Sequence, residues 1–182
     1  MQLTVKLAGL DLAQRRLAAI GAQVEPTMRK ALNSTATRTR QSQYVQPLAP
    51  VFSSRPRLRR GFRIQRAGKK RDESRVIPSS AGVPVTEYAN WAYSVIAPTR
   101  GRIFVRTLNG RKLAAGFVNP SSAARRPLST RVKGATQRRP RAALGPSLAW
   151  FFKQMTNGKT VRWVNATLQQ QFEIEIRKVL AK

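Results

Sequence analysis

The chain has 182 residues, of which 35 are Lys or Arg and 7 are Asp or Glu, for a net charge of +28 with no His and no Cys. That inventory excludes disulfides, thiol chemistry and the usual zinc sites, and no apolar run reaches the length of a membrane span. A charge this lopsided opposes compaction and points to a polyanionic or acidic partner in the working state, nucleic acid being the commonest.

The length fits one domain over residues 1–182. At the N-terminus Leu3, Val5 and Leu7 alternate with Gln2, Thr4 and Lys6, which predicts a short strand. Leu10, Ala13, Leu17, Ile20 and Val24 then step by three and four, the period of an amphipathic helix, with Asp11 at its positive end. Asp11 and this period favour a structural helix over a targeting peptide. Pro26 restarts the chain in a second helix over residues 26–44, with Met28, Ala31, Leu32, Thr35 and Ala36 as its apolar seam. Pro47 and Pro50 end it, and residues 51–57 read as loop.

Residues 55–75 hold ten Lys or Arg and only two acids, Asp72 and Glu73. Phe62 and Ile64 point one way on an extended backbone while Gly61, Arg63 and Gln65 point the other, the pattern of a strand with one buried face. A row of guanidinium groups is thereby built into the fold, facing something anionic. The candidates are Arg55, Arg57, Arg59, Arg60, Arg63 and Arg66, with Lys69, Lys70 and Arg71 in a turn over residues 68–73. Residues 75–77 and 83–85 are short extended pieces interrupted by Pro78 and Pro84.

Residues 91–118 carry the clearest strand signal. Tyr93, Val95 and Ala97 alternate, as do Ile103 and Val105, and Asn109-Gly110 marks a tight hairpin. An antiparallel sheet of about four strands is expected. From residue 88 to residue 172 there is no acid at all, against fifteen Lys or Arg; a surface built only for solubility mixes both signs. Residues 119–145 are rich in Ser, Pro, Ala and Arg and poor in large apolar side chains, so they read as a long basic arm that orders against a partner. Arg125, Arg126, Arg131, Lys133, Arg138, Arg139 and Arg141 are its DNA- or partner-facing candidates. A short helix over residues 147–154 follows, then a break at Thr156-Asn157-Gly158. Val161, Val164, Leu168, Phe172, Ile176 and Val179 give the terminal helix. The fold class expected is α+β, with N-terminal helices and a long C-terminal helix packed on an antiparallel sheet, plus the basic arm.

Catalysis has little to stand on. Asp72-Glu73 is the only adjacent acid pair and sits among lysines and arginines as local charge balance. Glu173 and Glu175 lie two apart on a helix and face different directions. Metal-dependent nuclease chemistry needs clustered carboxylates, and neither a phosphate-binding glycine loop nor a dinucleotide pattern is present. No catalytic residue, metal ligand or cofactor is therefore expected. The absence of a helix-turn-helix, zinc-finger or RNP pattern predicts that any nucleic-acid contact is to backbone, not to base sequence.

The order of parts resembles the minor tail protein Z family, the tail-completion proteins of long-tailed bacteriophages. The matching phrases are GLDLAQRRLAAI, MRKALNSTATRTRQS, RLRRGFRIQRA, LAAGFVN, GPSLAWFFKQ and LQQQFEIEIRKVL. They run from about residue 8 to the end, with residues 91–111 fitting least well. The resemblance implies a non-enzymatic virion protein at the head-proximal end of the tail, which completes the tail for head joining and DNA passage. It further implies a homo-oligomeric ring, six-fold at that junction, beside the tail terminator, the head-completion ring and the tape measure. A ribosomal or other ribonucleoprotein component is the rival expectation, since it shares the charge and the arm.

Overall fold

A computed structural model describes residues 10–129 and 140–181. The strand expected over residues 2–7 lies outside them, as do residues 130–139 of the expected arm.

The chain opens with α1, Leu10–Thr39, one continuous helix where two were expected. Pro26 does not break it. Proline lacks the N–H that would bond the carbonyl four residues earlier; here it stands at an exposed position, where water can take that carbonyl. The helix then widens into a π-helical turn, Arg40–Val45, in which the Gln46 N–H bonds the Gln41 carbonyl five residues back. This wider turn brings Tyr44 and Val45 into the core and leads into α2, Gln46–Leu48, whose Pro47 sits in the first turn and needs no donor.

The loop and basic strand expected over residues 51–66 are corrected in part. Arg55–Gly61 forms a helix, α3, with Pro56 in its first turn and Arg59 and Arg60 in its last. The helix wins because Pro56 is pre-set for a first turn and cations suit a helix C-terminus. Leu58 is its one buried side chain. The strand survives as β1, Phe62–Gln65, with Phe62 fully buried and Arg63 exposed as its alternation predicts. It pairs antiparallel with β2, Arg75–Pro78.

The main sheet has seven strands, all antiparallel. β3 is Gly82–Pro84, β4 Trp91–Ala97, β5 Arg100–Thr107 and β6 Gly110–Val118. β7 is Leu128–Ser129, β8 Arg141–Ala142 and β9 Leu144–Ser147. The order across it is β3-β9-β6-β5-β4, with β7 on β6 and β8 on β7. The expected hairpin forms with Thr107 opposite Gly110, and only Gly110 takes a positive φ, 111°. The arm over residues 119–145 is corrected too: β7, β8 and the start of β9 come from it, and Ala143 is fully buried. Two of its residues, Leu128 and Ala143, approach β6 closely. At Gly116, with φ 132°, an added Cβ would lie 2.5 Å from the Leu128 carbonyl oxygen and 2.6 Å from the Ala143 Cβ.

Helix α4, Leu148–Met155, is capped by Ser147, whose Oγ accepts from the Trp150 N–H at 3.2 Å. Helix α5, Gly158–Leu180, is capped by Asn157, which accepts from the Lys159 and Thr160 N–H groups at 3.0 and 3.1 Å. The core joins Tyr44, Leu48, Phe62, Ile103, Val105 and Phe151 from both helical and sheet elements. Tyr44 stacks on Phe62 and Phe152 at centroid distances of 5.5 and 4.6 Å. Its hydroxyl shares a 2.9 Å hydrogen bond with Thr156, so α5 leaves the core where α1 enters it. Because the chain just beyond α1 meets the start of α5 at Tyr44 and Thr156 and the two helices pack along each other, they run antiparallel; Lys30, Arg38, Gln171 and Glu175 line a groove between them. The residues closed in this pair are small or polar: Thr27, Ala31, Thr35 and Thr39 on α1, Thr160, Thr167 and Gln171 on α5. The apolar stripes are closed less well, with Met28 41% and Val161 50% exposed.

Candidate nucleic-acid interface

Two cationic surfaces emerge. The first gathers at the junction of α1, α3 and β1. Asn33, on α1, clamps the backbone just after β1: its Nδ2 donates to the Ala67 carbonyl at 3.1 Å and its Oδ1 accepts from the Ala67 N–H at 2.9 Å. The clamp fixes the chain at Arg66. Arg40, at the start of the π-helical turn, is half-buried, and its Nε has no hydrogen-bond partner. Burial, followed by the charges of Arg59 and Arg66, lowers the Arg40 guanidinium below the usual arginine value. Arg59, on α3, and Arg66, just after β1, are thus close enough to bear on Arg40; no ion pair with an acid involves any of the three among the described residues, although Glu175 of α5 lines the same groove as Arg66. Such a group is set to bind a phosphate, which accepts from several guanidiniums at once.

The remaining candidates of residues 55–71 divide. Arg55, Arg60 and Arg63 are exposed. Arg57 is committed to Glu87 in a 2.8 Å ion pair. Lys69 and Lys70 stand at the tip of a tight turn closed by reciprocal 2.9 Å backbone bonds between Gly68 and Arg71. Arg71 itself reaches back to the Gln65 side-chain amide, whose oxygen, with the amide turned to face it, accepts from its two terminal nitrogens at 2.7 and 3.1 Å. Glu73 is taken by Arg75.

The second surface is the outer face of the sheet. On β5 the side chains of Ile103, Val105 and Thr107 are buried while Arg100, Arg102 and Arg106 are exposed. Arg102 lies opposite Phe117, and Arg106 opposite Arg111. A concavity of ≈ 510 Å³ is lined by Arg100, Arg102 and Arg141 together with Leu113, Phe117 and Leu144. Of the arm's candidates, Arg141 belongs here. Arg125 and Arg126 are exposed on the connection before β7, and Arg125 has a φ of 41°. Arg131, Lys133, Arg138 and Arg139 lie outside the described residues.

Arg40, Arg100, Arg102 and Arg106 were missed as candidates from sequence. The alternation of Arg102 and Arg106 with Ile103, Val105 and Thr107 is a signal that could have found the β5 residues. Arg40 had none, because its place depends on the π-helical turn.

No protein-family model, curated protein or solved structure matches this chain. The functional argument therefore rests on the residues and the geometry. Among the described residues no three His, Cys, Asp or Glu groups gather as metal ligands, and no helix is long and apolar enough to cross a membrane.

Proposed function

We propose that the chain is a structural virion protein that completes the head-proximal end of a phage tail, as a homo-oligomeric ring through which DNA passes. Its neighbours in this reading are the tail terminator, the head-completion ring and the tape measure. The observation that carries the reading is Arg40 with Arg59 and Arg66 close enough to bear on its charge, beside the Asn33 clamp on Ala67, and none of the three in an ion pair among the described residues. Cations placed in this way fit phosphate backbone of any sequence, which is what a passage for DNA requires. The location is proposed from the resemblance of the sequence phrases to tail-completion proteins, and the ion-paired acids suit a non-enzymatic role.

The test is inactivation of the gene in the genome that encodes it. The reading predicts DNA-filled heads and separate tails in the lysate. Normal joined, infectious particles would contradict it.

The Arg-rimmed outer face of the sheet, with Phe117 beside Arg102, favours a second reading as a ribonucleoprotein component. That reading predicts RNA carried through purification and lost on nuclease treatment.

A further inference from the structure

Strand β4 lies at the edge of the seven-stranded sheet. It pairs with β5 on one side, and no described residue pairs with it on the other. Its sequence, WAYSVIA, has no charged residue and no proline, in a chain of net charge +28. Exposed edges are normally guarded by lysines, prolines or short length, because their free N–H and C=O groups template pairing with another strand. The opposite edge, β3, is guarded in this way: three residues ending in Pro84. The register irregularity in β4 comes only after Val95, so Trp91 to Val95 pair regularly with β5 and leave a regular outer edge. Val95 and Ile96, at the outer end, are 61% and 54% exposed. The outer face of the sheet would repel another copy through Arg100, Arg102 and Arg106, whereas the β4 edge is neutral.

A strand-like segment suited to this edge is present in the same sequence. Residues 2–7, QLTVKL, alternate apolar and polar side chains and carry one charge. To return to their own β4 they would have to run back along α1. Helix α1 spans 30 residues, so it sets Leu10 about 45 Å from the end that enters the core. Trp91, the first residue of β4, packs against that core. Fully extended, residues 3–9 reach only about 24 Å. Strands β7 and β8, between which residues 130–139 run in sequence, pair on the side of β6 away from β5 and β4.

We propose that residues 2–7 of one copy add as a strand to the free edge of β4 in the next copy. Donor and acceptor are different surfaces, so the contact can repeat head-to-tail and closes into a ring where the rotation between copies allows. Backbone hydrogen bonds supply the attraction at a place on the surface where two strongly cationic chains repel each other least. The contact would serve the ring proposed above but does not depend on a role in a virion.

The absence of native cysteine makes the test clean. Single variants T4C, L3C and V5C are each mixed with S94C at high salt and oxidised. The proposal predicts disulfide-linked heterodimers from at least one mixture, and a covalent ladder of oligomers from the corresponding double variant. Deleting residues 2–7 should leave the circular dichroism spectrum intact and abolish the assembled species in mass photometry. No interchain cross-link in any mixture, a double variant linked only within one chain, or unchanged assembly after the deletion would each overturn it. Rings that form in this way but leave virions unaffected by gene loss would refute the tail role and keep the strand exchange.

Discussion

At the scale of single residues, Asn33 sets the geometry of the cationic cluster, because two hydrogen bonds from one amide hold Ala67 and therefore its neighbour Arg66. Asn33→Ala leaves the Ala67 N–H and C=O without these partners, and should cost about 1–3 kcal/mol in chemical denaturation while weakening DNA binding. Arg40→Met should separate these two effects. It removes a half-buried guanidinium that has an unpartnered Nε and two like charges nearby. Its thermal stability should hold or rise slightly, while affinity for duplex DNA falls. A loss of both stability and binding would show that Arg40 is structural. Neutralising Arg59, Arg60, Arg63 and Arg66 together should lower the salt slope of DNA binding by up to about 0.9 per lost phosphate contact. Arg57→Gln should change the slope little, because Arg57 is paired with Glu87. An unchanged slope in the quadruple variant would remove this surface from the account. Of this cluster the sequence shows Arg59 and Arg66 as members of a basic run. Arg40 becomes visible only once the chain is folded, since its two like-charged neighbours are 19 and 26 positions away.

At the scale of elements, local pattern was a good guide where one face is buried and neighbours decide little. Phe62 against Arg63 in β1, and Ile103 and Val105 against Arg102 in β5, follow the period of two seen in the sequence. Pattern misled where tertiary contacts override it. Pro26 reads as a helix boundary yet lies within α1, at an exposed position. Residues 119–145 read as arm because they lack bulk, whereas Leu128 and Ala143 within them pack closely over Gly116, which has no Cβ in the way. Gly116→Ala should accordingly be among the most damaging single changes, costing more than about 3 kcal/mol through a strained positive φ and contact with backbone on both sides. A full-strength refolding transition in that variant would contradict the placement of β7. Tyr88 offers a test of the β9 packing by pH. Its hydroxyl donates to the Pro146 carbonyl at 2.6 Å, and burial, then Glu87, raises its pKa above the ordinary tyrosine value of 10.0. Below that value both folded and unfolded chains keep the proton and stability is complete. As pH rises past it the unfolded chain ionises first, so stability is progressively lost. Tyr88→Phe should flatten this alkaline loss as measured by urea denaturation between neutral and strongly basic pH.

At the scale of the whole molecule, charge and shape belong to one argument. Four of the acids are engaged in ion pairs with the chain's own Arg or Lys side chains, at Glu25, Glu73, Glu87 and Glu175. Little negative charge is left to offset the rest, so added salt should raise the melting temperature of the free chain by screening self-repulsion. Polyanions should raise it further by binding the folded state. The cationic cluster at α1, α3 and β1, the Arg-rimmed sheet face and the neutral β4 edge divide the surface into regions suited to different contacts. The proposed role in tail completion would use all three: phosphate backbone at one, acidic neighbours at another, a further copy at the third. The measurement that tests this most directly is immunogold electron microscopy of particles produced by the genome that encodes the chain. The account predicts label at the head-proximal end of the tail; particles without label, or label elsewhere on them, would contradict it.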